Sequence, residues 1–247
     1  MSPDDEHVLV EHHDGWALIT LNRPDKRNAM NRAAQRRLRE VFTEVYDKKV
    51  VVLTGVGSSF CSGVDLTETH VASQTDRLAS ANIGYWAECN EDLRKHPALF
   101  IAAVNGFALG GGSTLVHNCE LAIAAESASI GTPEMGFGAW AALSGPSLIN
   151  RVLPKHAAQL IFLAKRVDAA TAWRMGMVNE VVPDDQLLAR SIEIAEHIAK
   201  FDPIALDWGK RAFHSMVNAS WEESMKVSRL TGWSIEASRT HQRGPLD

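Results

Sequence analysis

Three short apolar runs recur along the first half of the chain: "VVVLTG" (50–55), "LFIAAVN" (99–105) and "ELAIAAES" (120–127). Unbroken apolar runs of this length read as strands buried on both faces, the setting of a parallel sheet covered by helices. The stretches between them have helical spacing. Residues 31–46 place Leu38, Val41, Phe42 and Val45 on one side. A second helix is predicted over 76–95, stopped by Pro97. Upstream, "VLVEHHDGWALITLN" reads as two strands joined at Asp14-Gly15, a common hairpin turn. Downstream, 146–164 is helical with a break at Pro154, and 168–176 is a short helix with Asp168 as its cap and Gly176 at its end. "MVNEVVP" is a last strand. From 184 the chain is helical, with junctions at Asp202-Pro203 and 218–220. The order implies an α/β body over 1–183 and a helical region over 184–247.

Composition narrows the class. The 247 residues are 45% hydrophobic and 22% charged, with net charge -5. A mildly acidic chain without a basic block argues against a nucleic-acid partner. No apolar stretch approaches ~18 residues, so no membrane span is expected. The first ten residues, "MSPDDEHVLV", lack the layout of a secretion signal. Three cysteines, Cys61, Cys89 and Cys119, form neither a metal-ligand spacing nor an even disulfide set. The expectation is a reduced, cytoplasmic protein without a metal.

Two small-residue loops follow buried strands, "CSGVDL" after the first run and "ALGGGST" after the second. Neither carries the lysine of a phosphate-binding loop, and no GxSxG is present. Gly136, Gly138 and Ala141 fit a relaxed dinucleotide fingerprint but do not follow a strand, which rejects it. Two readings stay open. The glycines serve tight-turn packing, or they expose backbone N–H groups to an oxyanion at a helix start.

The stretches "ITLNRPDKRNAMN", "VVVLTGVGSSFCSGVDL", "IAAVNGFALGGG", "CELAIAAESASIGTPEMGFG" and "AATAWRMGMVNEVVP" are collinear over roughly residues 8–200. Together they resemble the crotonase (enoyl-CoA hydratase/isomerase) family. The resemblance implies a crotonase-like spiral of repeated ββα units. It also implies a C-terminal helical trimerisation region, assembly as a homotrimer or a hexamer of paired trimers, and an acyl thioester of coenzyme A as substrate. Coenzyme A would be part of the substrate, with no permanently bound cofactor.

Carried over residue by residue, the resemblance assigns an oxyanion hole to the amides of Val64 and Gly111, with Gly110 beside the second. It assigns Glu134 as acid/base; the neighbours Met135, Phe137 and Trp140 are apolar, a setting in which a carboxyl holds its proton more readily. Without the family, Glu134 would read equally well as a cap after Pro133. Typical hydratases carry a second glutamate where this chain has Thr114, whose hydroxyl orients a group but is no base near neutral pH. Lys26, Arg27 and Ala29 match the segment that borders coenzyme A. Ser62, Asp65 and Leu66 flank the first amide on the nucleotide's path, and Trp140 walls the acyl pocket or belongs to the core. His117, Cys61 and Glu120 are read as structural. Trp208, Trp221 and Trp233 suggest burial at an interface or within the subunit.

The sequence thus predicts an acyl-CoA-processing enzyme that isomerises or hydrates an enoyl-CoA through a thioester enolate. The alternatives are a feruloyl-CoA-type hydratase/lyase, which shares a hydroxyl residue at the position of Thr114, and a non-catalytic thioester-binding subunit.

Overall fold

The computed structural model describes residues 5–65, 67 and 81–242. The strands among the described residues are β1 (Val8–His12), β2 (Trp16–Leu21), β3 (Val50–Gly55), β4 (Ser59–Cys61), β5 (Leu99–Val104), β6 (Phe107–Leu109), β7 (Leu121–Ala125), β8 (Ser129–Gly131), β9 (Arg166–Asp168) and β10 (Glu180–Val182). The α-helices among the described residues are α1 (Arg32–Glu44), α2 (Ala81–Lys95), α3 (Gly111–Asn118), α4 (Ser144–Ile149), α5 (Pro154–Leu163), α6 (Ala169–Arg174), α7 (Leu187–Ala199), α8 (Pro203–Met216) and α9 (Trp221–Gln242).

The strands form two sheets. The larger has the order β1-β2-β3-β5-β7-β10, antiparallel only at β1–β2. The smaller has the order β4-β6-β8-β9, antiparallel only at β8–β9. Each turn of the chain therefore adds a long strand to the first sheet, a three-residue strand to the second, and then a helix. This is the expected spiral of ββα units. The long strands β3 and β5 are apolar on both faces because both are covered; Val50 to Leu53 and Phe100 to Val104 are fully buried.

Local signals explain most boundaries. Gly15 takes φ +75° in the first hairpin, which closes through His13 N–H to Trp16 O at 2.9 Å. The Asn31 side chain accepts from Ala34 N at 2.9 Å and starts α1, whose buried face holds Ala34, Leu38, Val41 and Phe42. Asp168 accepts from Thr171 N at 2.7 Å and starts α6.

The helical end is anchored to the sheet. Helix α7 packs on β3 and β5. The Lys210 Nζ of α8 is buried, donating to Leu93 O (3.1 Å) and Ala98 O (2.8 Å) and lying 3.4 Å from Glu120 Oε1. Glu120 also meets His214 Nε2 at 2.7 Å and accepts from Phe100 N at 2.8 Å. Burial opposes its charge, but His214 and Lys210 hold its carboxyl below the usual range. The cluster fastens α8 to the start of β7.

Candidate active site

The site is built where β4 and β6 end. Their parallel pairing brings the two glycine loops side by side. Gly63 has φ +94°, and a Cβ there would lie 2.9 Å from Leu109 O and 3.0 Å from Gly111 N. Two turns 47 residues apart in sequence are thus in backbone contact.

The first loop is pinned from the other side by the segment 23–30. Met30 N donates to Gly63 O (2.8 Å) and Asp65 N to Met30 O (3.2 Å), a parallel bridge centred on Val64. In such a bridge the N–H of the central residue faces away from its partner strand. Gly111 opens α3, so its N–H has no acceptor inside the helix. Both residues line one cavity of about 250 Å³. Its wall is mainly apolar and includes Trp86, Phe137, Trp140 and Leu143.

Glu134 lines the same cavity, in a short 3-10 turn, Glu134–Phe137, that follows β8. The Ser144 hydroxyl, from the first turn of α4, donates to Glu134 Oε1 at 2.5 Å. That oxygen lies 3.2 Å from where a Cβ on Gly110 would be; Gly110 itself has φ +53°. The other oxygen, Oε2, is buried without a hydrogen-bond partner among the described residues. One carboxylate oxygen is held and the other is free.

The remaining predicted residues divide. Ser62 and Trp140 line the cavity; Trp140 is half exposed at its mouth. Thr114 does not line it. It is buried, and its hydroxyl donates to Gly110 O at 3.3 Å. Lys26 and Arg27 are exposed on the neighbouring loop, joined to the first glycine turn by Ser62 N–H to Arg27 O at 3.0 Å. Ala29 offers its carbonyl to the Arg23 guanidinium, which also pairs with Asp65 at 3.1 Å. Burial works against the Asp65 charge, yet Arg23 and Thr67 hold its carboxyl below the usual range. Asp65 therefore ties two loops together and is not among the residues lining the cavity. Leu66 lies outside the described residues. Among those described, no cluster of three or more His, Cys, Asp or Glu is arranged to hold a metal, and no helix is long and apolar enough to cross a membrane.

Sequence reasoning passed over Arg23, Trp86 and Ser144. Arg23 lies in one of the stretches that carry the resemblance but has no role assigned by it, Ser144 is a common polar residue in no motif, and Trp86 sits in a helix whose apolar spacing is that of a core residue. Cys61 is buried, its thiol pushed up to about 12 by burial, which makes it no nucleophile. His117 is buried on α3 with Nδ1 3.3 Å from Ser147 Oγ. Burial, helped by the Arg151 cation, lowers it to about 3 from an ordinary 6.5. The unfolded chain therefore takes up a proton below pH 6.5 that the folded chain refuses until about 3. Stability is expected to fall between these limits, on the order of 1 kcal/mol per pH unit from this group. Urea midpoints of the wild type and His117→Gln, measured from pH 7 to pH 4, check it. The variant should lose less; parallel loss contradicts the assignment.

Comparison with known proteins identifies the family. The family model for enoyl-CoA hydratase/isomerase matches residues 11–244. A probable enoyl-CoA hydratase of Rhizobium meliloti is 33% identical, over 97% of this chain and 93% of its own. The short-chain-enoyl-CoA hydratase of Clostridium acetobutylicum is 34% identical, over 84% of this chain and 81% of its own. The crystal structure of an enoyl-CoA hydratase from Bacillus anthracis superposes with a TM-score of 0.89 at 30% identity, covering 96% of this chain and 94% of that one. The chain belongs to the enoyl-CoA hydratase/isomerase family of enzymes.

Proposed function

We propose that the protein hydrates an enoyl thioester of coenzyme A reversibly, through an enolate held by the amides of Val64 and Gly111, with Glu134 as the single proton carrier. The observation that carries this reading is one cavity lined by both glycine turns and by a carboxylate with one oxygen free. Two backbone donors converging on a thioester oxygen stabilise the charge that develops there, and losing one donor of such a hole costs about 3–4 kcal/mol. Glu134 Oε2 takes a proton from water as its oxygen bonds to the β-carbon. The electron pair of the double bond moves onto the thioester oxygen. The same carboxyl then returns the proton to the α-carbon, so the balance is enoyl thioester plus water to 3-hydroxyacyl thioester. Thr114 plays no part in proton transfer, because its hydroxyl is engaged with Gly110 O. Coenzyme A runs past Ser62 toward the exposed Lys26 and Arg27, whose charges suit its phosphates.

The test is turnover of a panel of enoyl-CoA thioesters in heavy water, read by mass spectrometry. One deuterium at the α-carbon with an oxygen gained at the β-carbon supports the reading. Deuterium at the γ-carbon without oxygen makes the enzyme an isomerase, and release of an aldehyde makes it a hydratase/lyase. Thioester binding without turnover makes it a binding subunit.

Ser144 is a positioning residue in this scheme. Ser144→Ala removes the donor to Glu134 Oε1 and is expected to lower kcat roughly tenfold with KM unchanged, since about one hydrogen bond to a charged group is lost. Equal kcat in the two proteins contradicts it.

The helical region 184–247 is read as the oligomerisation region. Trp221 and Trp233 of α9 are 74% and 70% exposed in the single chain, far more than isolated tryptophans on a monomer surface usually are. Light scattering is expected to give a trimer or a hexamer; a monomer contradicts it.

A further inference from the structure

We propose that the indole N–H of Trp86 receives the β-oxygen of the bound acyl group, so that Trp86 selects 3-oxygenated thioesters over plain ones of the same length. The inference rests on the thioester reading above and adds a specificity-determining residue to it.

Trp86 stands in α2, fully buried, and it lines the cavity. Its Nε1 is buried without a hydrogen-bond partner among the described residues. An unpaired buried donor is costly, and native interiors rarely leave one without a reason. The N–H edge rests against the second glycine turn. A Cβ on Gly111 would come within 2.5 Å of Nε1, so glycine at 111 is what keeps that edge clear. The donor therefore sits beside the very residue whose amide is assigned to the thioester oxygen.

The chemistry of the pair narrows the ligand. An indole N–H only donates, so it reads an acceptor atom. Two amides already serve the thioester oxygen. The next oxygen along a 3-hydroxyacyl chain is on the β-carbon, and it arrives as the water that adds there. Across the same cavity stands Glu134 Oε2, an unpaired acceptor. A β-oxygen, carbonyl or hydroxyl, accepts from Trp86, and a hydroxyl also donates to Glu134 Oε2, satisfying both orphaned atoms at once. A plain alkyl chain satisfies neither. Thr114 cannot supply this contact, because it is turned toward Gly110 O.

Binding of acetoacetyl-CoA and butyryl-CoA tests the proposal. The two ligands have the same length and differ by one β-oxygen, and neither is a substrate for adding or removing water. By calorimetry, the wild type should bind acetoacetyl-CoA roughly tenfold more tightly, the worth of about one hydrogen bond. Trp86→Phe removes the N–H and keeps most of the bulk. It should lose that preference, binding the two thioesters within about twofold of each other. Equal wild-type affinities overturn the proposal and leave the thioester reading intact, as does a preference that survives in Trp86→Phe. Failure of the wild type to bind either thioester overturns both readings. Should Trp86→Phe not fold, the crystal structure of the wild-type complex decides: a β-oxygen within about 3.2 Å of Nε1 supports the assignment, and one placed elsewhere overturns it.

Discussion

Glu134→Gln is expected to lower kcat by two to four orders of magnitude, the usual worth of a positioned acid/base, while thioester affinity stays within a few-fold. The amide is close to isosteric with the carboxyl. It still accepts the Ser144 hydroxyl that Glu134 Oε1 accepts now, so the local geometry survives and only the proton carrier is lost. The effect is large because the described residues offer no substitute. Thr114 is committed to Gly110 O, Asp65 to Arg23, and Glu120 to Lys210 and His214. Among the described residues that line the cavity, Glu134 is the one carboxylate. Steady-state kinetics on the turned-over enoyl-CoA, with calorimetry on a non-reacting thioester, read the two quantities separately. A variant with wild-type kcat removes Glu134 from the reaction.

Gly112→Ala is the second large effect, and it acts on the scaffold. A Cβ there would lie 1.9 Å from Cys61 O and 2.7 Å from Cys61 C, both backbone atoms of β4. Neither can rotate away as a side chain would. Helix α3 and strand β4 must separate, and with them the turns that carry Gly111 and Val64. Overpacking of buried backbone costs about 3 kcal/mol or more, which for a chain of this length is a fall in Tm of roughly 10 °C. Activity should fall further than stability explains. Gly209→Ala is the control. Gly209 lies in α8 with nothing within 4 Å of its Cβ position, and alanine in an exposed helix interior stabilises by up to ~1 kcal/mol. Differential scanning calorimetry of both variants checks the pair. Similar melting of Gly112→Ala and wild type contradicts the packing account.

That prediction bears on how far the sequence could be read. The long sheet was legible because β3 and β5 carry full apolar runs, and the helices because of their apolar spacing and, at Asp168, a cap that hydrogen-bonds to Thr171 N as expected. The second sheet was not. Strands β4, β6, β8 and β9 have three residues each, too few to show a period of two, and "SFC" and "SIG" read as loop. Yet it is β4 and β6 that set the two turns side by side. For the three glycines at 110–112 the sequence leaves two readings, tight-turn packing and backbone N–H groups exposed to an oxyanion. In the structure the space each leaves is taken by the chain itself: the Glu134 carboxyl beside Gly110, the Trp86 indole beside Gly111, and the Cys61 carbonyl beside Gly112. The glycines are needed for internal contact, and the exposed amide of Gly111 follows from that packing. Glu134 and the two amides were placed by family resemblance. Ser144 and Trp86, which complete the cavity's polar lining, lie in helices with no motif around them, so only three-dimensional proximity reveals them.

The account turns on two amides from separate turns meeting one oxygen. A crystal structure with butyryl-CoA bound measures this directly. The thioester oxygen is expected within about 3.2 Å of both Val64 N and Gly111 N, with the α-carbon facing Glu134 Oε2. An oxygen that contacts neither amide, or a thioester seated outside this cavity, would contradict it.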